Sequence, residues 1–516
     1  MPAKSRRALH PLAQRERVLA RLSCNSDFEA ATTRLLTQGG DPRIALNAQG
    51  RNAYGCTPRP DPALLQLGSS TGSIISHEGF QAAVALFRRL YGASGSYHQE
   101  LARQRQELSE CTGAARCPGT ELVFAASGTD LHAIAVHLAA HLTPGRMQAV
   151  MVAPSETGSG VPDALAALHF VAQTAQGVQV TRGEPLGAAA MAAPVGVSLR
   201  QPDGSLRSQA EVDAEFAQHV VRQMHAAGGC LLVLADVSKT GLHAPSVACA
   251  AQLRQQYGER LSVLVDACQW RMSADTLQGY LAQDFMVAIT GSKFVGGPAF
   301  CGALLLPQGV TQRARSVPLT DLVDYCARSD WPVGWQPARA LGASANVGLL
   351  LRWEAALAEL RLFNALPAAQ VFQCLQAWGQ AVQQRLSSDA SFAVLPVPPL
   401  SRSGEMGWDS VQTIFPFQVF KPEMSTPKRA LTVHELRRLC EQLRQGQGAG
   451  ASVRVLLGQP VECGDQAGEP VAALRLCCSA RMVTDAVRLR QPWTLVIEQT
   501  MQALDLVAEL AKGCRD

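Results

Sequence analysis

Two side chains that follow apolar runs could do chemistry together. Asp266 follows the run 262–265, and Lys293 closes the tetrapeptide Thr290-Gly-Ser-Lys after the run 285–289. A lysine amine condenses with carbonyls to a Schiff base, and a carboxylate can hold a proton on a nearby nitrogen. A third polar group, Asp236-Val-Ser-Lys239, follows the run 231–235, so Lys239 is a rival amine one strand earlier. Taken singly, Asp266 could cap a helix near Cys268 and Lys293 could be a surface lysine. In this order, ahead of Gly296-Gly-Pro298, they point to one site.

The elements that must position them are short buried strands. The runs 231–235, 262–265, 285–289 and 302–306 alternate with polar turns or a helix-like segment, the pattern of an α/β sheet. Such sheets bind ligands outside the carboxyl ends of their strands. A second informative stretch is 121–142. A strand Glu121–Ala125 runs into Ser127-Gly128-Thr129, then a helix with an apolar stripe through Leu131, Ile134, Ala135 and Leu138. A glycine turn opening a helix offers free backbone N–H groups at the positive end of the dipole, an anion site; the plainer alternative is an N-cap. His132, His137 and His141 lie along that helix, but only the last two are spaced as a pair, so no metal site is expected.

The 516 residues suffice for two or three domains, and 47% hydrophobic content is that of a globular protein. A formal charge of +4 gives no reason to expect nucleic acid or a membrane surface as partner. Fifteen cysteines without a Cys-x-x-Cys pair read as free thiols in a reducing compartment. The basic start lacks the apolar core of a signal peptide, and no run approaches the ~18 apolar residues of a membrane span. A cytoplasmic protein is expected, with organelle import as the alternative for the arginine-rich start.

Residues 1–40 read as helix, followed by a Gly/Pro/Asn/Arg-rich connection in which Asn52, Tyr54 and Arg59 either link or reach over the site. Asp203-Gly204 marks a hairpin. Beyond 306 come an irregular stretch, a long amphipathic helix from about 346, a second helix near 368–386, and the strand and helix signals of a small α/β domain. The expected division is an N-terminal arm with linking helices (1–115), a large domain (116–310) and a C-terminal small domain (311–516).

The elements Asp266-Ala-Cys-Gln269, Thr290-Gly-Ser-Lys293 and Gly297-Pro298 before Gly302-Ala-Leu304 carry a resemblance. The chain resembles the fold-type I enzymes dependent on pyridoxal 5'-phosphate (PLP), in particular the class V aminotransferase and cysteine desulfurase superfamily. That resemblance implies a large domain with a mostly parallel seven-stranded sheet, a smaller C-terminal α/β domain and a homodimer. It implies PLP, with Lys293 as Schiff-base lysine and Cα proton carrier and Asp266 on the pyridinium nitrogen. Ser127, Gly128 and Thr129 would cup the phosphate, and Thr290 and Ser292, beside the lysine, would also bind the cofactor. Ser238 and Gln269 would lie on the 3-hydroxyl side. Thr157 falls where relatives carry a ring-stacking histidine, and threonine cannot relay protons as imidazole can. Arg475 would grip the substrate carboxylate, with Arg454 and Arg481 as alternatives and Asn52 and Tyr54 nearby. The implied activity is aminotransferase-like, on an α-amino acid. A PLP-dependent lyase is the alternative, as is a desulfurase using Cys463 as nucleophile; a non-catalytic regulator of the same fold is more remote.

Overall fold

The computed structural model describes residues 25–92, 96–143, 145–187, 191–402, 407–421, 429–447, 453–466 and 469–513. The basic start of the chain, read above as helix and as a possible import signal, lies in residues 1–24, outside them. Among the described residues no helix is long and apolar enough to cross a membrane.

Strand β1 (Leu64–Leu67) precedes a run of seven: β2 (Glu121–Ala125), β3 (Arg146–Val152), β4 (Val195–Val197), β5 (Gly228–Ala235), β6 (Leu261–Ala267), β7 (Met286–Thr290) and β8 (Gly302–Leu306). Those seven form one sheet in the order β2-β8-β7-β6-β5-β3-β4. Only β8 runs against its neighbours. The seven-stranded, mostly parallel sheet is the one expected.

Its strands read as continuous apolar runs because both faces are covered. Leu232, Leu234, Val263, Val265, Val287 and Ile289 point into one core, and Leu231, Val233, Leu264, Met286 and Ala288 into the other. This period-two alternation fixes the register, since a slip of one residue would exchange the two faces. Ala235 then sits beside Asp266, and Ala267 beside Ile289, so the polar residues after each strand emerge on one edge.

A second sheet is built from β9 (Phe392–Val394), β10 (Ile414–Val419), β11 (Arg454–Gln466) and β12 (Glu469–Cys477). Its order is β1-β11-β12-β10-β9, with β1 parallel to β11. The segment assigned from sequence to an N-terminal arm thus supplies a strand to the C-terminal sheet. Helices Ala368–Ser388, Val433–Gln445, Ala480–Arg488 and Trp493–Lys512 cover this sheet. The helix Val347–Asn364 belongs elsewhere. Its Leu349, Leu350, Trp353 and Leu357 join the core of the large sheet, alongside the helices His77–Tyr91 and Tyr97–Cys111.

Arg352 on that helix shows how the N-terminal segment is held. It is fully buried, and its guanidinium donates to Phe300 O, Leu36 O and Gly39 O at 2.8, 3.2 and 2.7 Å, and also to Gln38 O. No carboxylate is among these acceptors; the carbonyls of two separate segments, 36–39 and Phe300, share one cation. Arg352→Met should strand these acceptors and cost about 3 kcal/mol. Urea denaturation should report that loss, and limited proteolysis should cut faster between residues 36 and 54. An unchanged midpoint would show that the arm is held by something else.

Candidate active site

Strand ends, helix starts and loops from both sheets converge on a cavity of about 470 Å³. Lining it are Tyr54, Ser127, Gly128, Thr129, Thr157, Ser238, Asp266, Gln269, Thr290, Ser292, Lys293 and Arg475. Every site residue expected from sequence is therefore present except Asn52. That side chain caps its own turn, accepting from the N–H groups of Tyr54 and Cys56 at 3.0 and 3.1 Å, and it faces a separate, smaller cavity. Arg59 also stays outside, its Nε on Thr33.

The helix Gly128–Leu142 begins directly behind β2. Ser127 caps it, its Oγ accepting from Asp130 N–H at 3.3 Å, while Ser127 O accepts from Leu131 N–H. The N–H groups of Gly128 and Thr129 keep no backbone acceptor and open toward the cavity. A side chain there would crowd the wall of the cavity. A Cβ at position 128 would lie 2.7 Å from Cys268 Sγ. The result is an anion cradle with a helix dipole behind it. Burial pushes the neighbouring Asp130 carboxyl up to about 6.

Asp266 lies at the end of β6, surrounded by donors. Cys268 N–H reaches Oδ1 at 3.2 Å, and Thr157 Oγ1 donates to Oδ2 at 3.4 Å. His132 Nε2 is 3.3 Å from Oδ2, close enough for an ion pair though off the line of a hydrogen bond. The other ring nitrogen, Nδ1, is 2.7 Å from Gly128 O, which can only accept, so Nδ1 carries a hydrogen. Burial alone would raise the Asp266 carboxyl. His132, the Cys268 thiol and Lys293 together pull it below the ordinary range. Burial alone would lower the His132 imidazole, and the facing Asp266 raises it above its ordinary value.

Sequence reasoning weighed His132 only as a metal ligand. It sits one helical turn after Gly128, on the face that returns to the anion cradle, and that spacing was the available signal. Thr157, in place of an imidazole, touches Asp266 through its hydroxyl.

Lys293 follows β7 on a loop that Ser73 Oγ holds by donating to Lys293 O at 3.0 Å. Thr290 Oγ1 donates to Cys268 O at 2.7 Å, and Ser292 Oγ to Thr290 Oγ1 at 3.3 Å, so these two brace the loop. Gly297 closes it, since a Cβ there would lie 2.6 Å from Ala356 Cβ. Burial first, then Arg475 and Arg271, lower the Lys293 amine, against Cys268 and Asp266, which raise it. No carboxylate lies within ion-pair distance of its ammonium among the described residues. Gln269 Nε2 donates to Ser70 O at 3.1 Å, leaving its buried Oε1 without a partner.

The remaining expected residues have stronger ties to protein than their sequence suggested. Ser238 Oγ donates to Glu156 Oε2 at 2.7 Å. Asp236 is buried against Arg402 and Tyr280. Arg475, on β12, is buried, and donates to Gln459 O, Thr71 Oγ1 and Lys239 O. Of its five N–H donors, one on Nη1 is left. Arg454 pairs with Asp61, and Arg481 holds Ile74 O and Gln66 Oε1. Cys463 donates to Val471 O, faces a different cavity, and burial pushes its thiol up to about 11.

The Asp266–His132 pair makes stability depend on pH. Asp266 is lowered from 3.8, so its contribution is present above that value and lost as pH falls through the folded-state pKa. His132 is raised from 6.5, so its contribution is present below 6.5 and lost as pH rises through its folded-state pKa. The stability gap between the cofactor-free wild type and Asp266→Asn should thus be widest between pH 3.8 and 6.5 and shrink on both sides. Urea titrations across pH would measure it. A gap that does not change with pH would mean the two groups are uncoupled.

No protein-family model matches the chain, and no curated protein matches it in sequence. Solved structures do match in shape. The cysteine desulfurase CsdA from Escherichia coli aligns with a TM-score of 0.51 at 14% identity, over 87% of this chain and 95% of its own. The cystine C-S lyase C-DES, solved with its product cysteine persulfide, aligns at 0.50 and 17% identity, over 84% and 97%. Oryza sativa TDC, solved with PLP, aligns at 0.50 and 12% identity, over 87% and 84%. With its sheet order and its two α/β layers, the chain has the fold of the fold-type I PLP-dependent enzymes.

Proposed function

We propose that the chain is a PLP-dependent enzyme acting on an α-amino acid, with an aminotransferase-like reaction as its chemistry. The observation that carries the reading is the convergence of Lys293, the Asp266–His132 pair and the Ser127–Thr129 cradle on one cavity. Two features fit the cofactor. The cradle N–H groups lack backbone acceptors, and the buried Gln269 Oε1 lacks a partner.

Bound PLP supplies an electron sink for charge that develops at the substrate Cα. Gly128 and Thr129 N–H would hold its phosphate. Asp266, kept anionic by His132, would hold the proton on the ring nitrogen, with the Thr157 hydroxyl beside that carboxylate. Lys293, whose amine burial keeps below its ordinary pKa, would attach the cofactor and carry the proton at Cα. Arg475 presents a buried positive charge to the α-carboxylate, with one free N–H and no acidic partner among its hydrogen bonds. Elimination by a lyase would use the same groups. Desulfuration needs a thiolate as well, and the position and raised pKa of Cys463 favour the readings without one.

Borohydride reduction of the PLP-treated protein, followed by peptide mapping, should place a phosphopyridoxyl group on Lys293. Its appearance on Lys239 would overturn the assignment. Asp266→Asn should keep the fold and lose about a hundredfold or more in kcat, because a neutral amide cannot hold the ring proton. Turnover near that of the wild type would reduce Asp266 to a structural cap. Arg475→Lys should lose roughly ten- to a hundredfold in kcat/KM, and less on an amine without a carboxylate. Equal losses on both substrates would mean that Arg475 acts only by tying strands together.

A further inference from the structure

The cavity wall carries more positive charge than the proposed chemistry uses. Arg43, Lys239, Lys293, Arg437 and Arg475 all line it. Its two carboxylates are engaged within the protein. Asp266 faces His132, and Glu156 accepts from Ser238 Oγ, from Thr240 N–H and from Thr240 Oγ1, with Arg200 Nε 3.8 Å away. Arg43 is paired with Asp41, its Nε 2.9 Å from Oδ1. Lys293 and Arg475 have their roles in the reading above. Lys239 has none, and Arg437 adds an exposed cation from the small domain's helix.

Lys239 is not an ordinary surface lysine. Its backbone is fixed on both sides: its N–H donates to Glu156 O at 2.9 Å and its carbonyl accepts from Arg475 Nη1 at 3.3 Å. Val237, two residues before it, holds a φ of 65°, so the turn is sharply set. The side chain is partly buried, and no carboxylate lies within 4 Å of its ammonium among the described residues. Burial first, then Arg475 and Lys293, push its pKa down to about 8. Like charges in a partly dry cavity repel, and an unpaired cation loses solvation there. Such an arrangement is stabilised when an anion arrives.

The cofactor phosphate is not that anion. Lys239 follows β5, on the far side of β6 and Asp266 from the Ser127–Thr129 cradle in the strand order. The substrate α-carboxylate has Arg475. We infer that the substrate carries a second carboxylate, on its side chain, and that Lys239 binds it, with Arg437 adding charge at the rim. The inference rests on the PLP reading, and it makes the substrate an acidic amino acid. Such a substrate would draw cations of the small sheet and of the large domain onto one molecule.

The test compares acidic substrates with their neutral isosteres on the holoenzyme. Aspartate and glutamate should exceed asparagine and glutamine in kcat/KM by about tenfold or more, the worth of one charge-assisted contact. Lys239→Gln should reduce that acid-to-amide ratio by about tenfold, and Lys239→Arg should largely restore it. Calorimetric titration gives a readout without turnover: succinate or glutarate should bind the wild type about tenfold more tightly than butyrate. Should Lys239→Gln fail to fold, the wild-type calorimetry and Lys239→Arg still decide. Amides used as well as acids, a ratio unmoved by Lys239→Gln, or dicarboxylates bound no better than butyrate would overturn the inference. Phosphopyridoxyl labelling of Lys293 separates the two failures. A labelled Lys293 with no preference for dianions sinks this inference and leaves the cofactor reading standing. Dianion binding without any label would overturn the cofactor reading, and the acidic amino-acid substrate with it, leaving Lys239 only as part of an anion site.

Discussion

A carboxylate can stay ionised inside a protein only when opposite charge and hydrogen-bond donors replace the water it has lost. Asp266 is that carboxylate here, and much of the layout around the seven-stranded sheet serves it. The parallel register of β5, β6 and β7 brings it to the strand edge where the other polar loops emerge. The loop after β3 supplies the Thr157 hydroxyl, the chain just past β6 supplies the Cys268 N–H, and the helix behind β2 supplies His132. That same helix opens the anion cradle at its first turn. One rigid element therefore carries both the cradle and the imidazole that faces the carboxylate.

The second constraint is the joining of the two sheets. The chain leaves β1 in the small sheet, passes through 68–73, and enters the helix His77–Tyr91 on the large one. In those six residues Ser70 O takes Gln269, Thr71 Oγ1 takes Arg475, and Ser73 Oγ holds Lys293 O. The cavity is thus closed by a short loop that touches both sheets at the residues of the site. Arg475 reinforces this link, because its guanidinium joins β11, the 68–73 loop and the turn carrying Lys239.

Local signals made the large sheet readable. Strands buried on both faces leave uninterrupted apolar runs, and polar residues directly behind them have few places to go but the carboxyl edge. Asp266, Lys293 and the Ser127–Thr129 turn were legible for that reason. What depended on distant partners was not. His132 meets a residue 134 positions along the chain, and β1 pairs with β11, Leu64 beside Arg454. Asn52 carried the polar side chain of a binding residue, yet its own turn claimed it through local hydrogen bonds. The helix Val347–Asn364 has the apolar content to cover either sheet, and only three-dimensional packing assigns it to the large one. Arg475 was legible as an arginine on a C-terminal strand, while its burial and the protein oxygens that occupy most of its donors were not.

The central claim is that Lys293, Asp266 and the Ser127–Thr129 turn hold a single cofactor. The most direct measurement is a crystal structure of the protein grown with PLP. The account predicts density continuous with Lys293 Nζ, a ring nitrogen against Asp266 and a phosphate on the N–H groups of Gly128 and Thr129. Density attached to Lys239, or a phosphate lying away from the 127–129 turn, would contradict it.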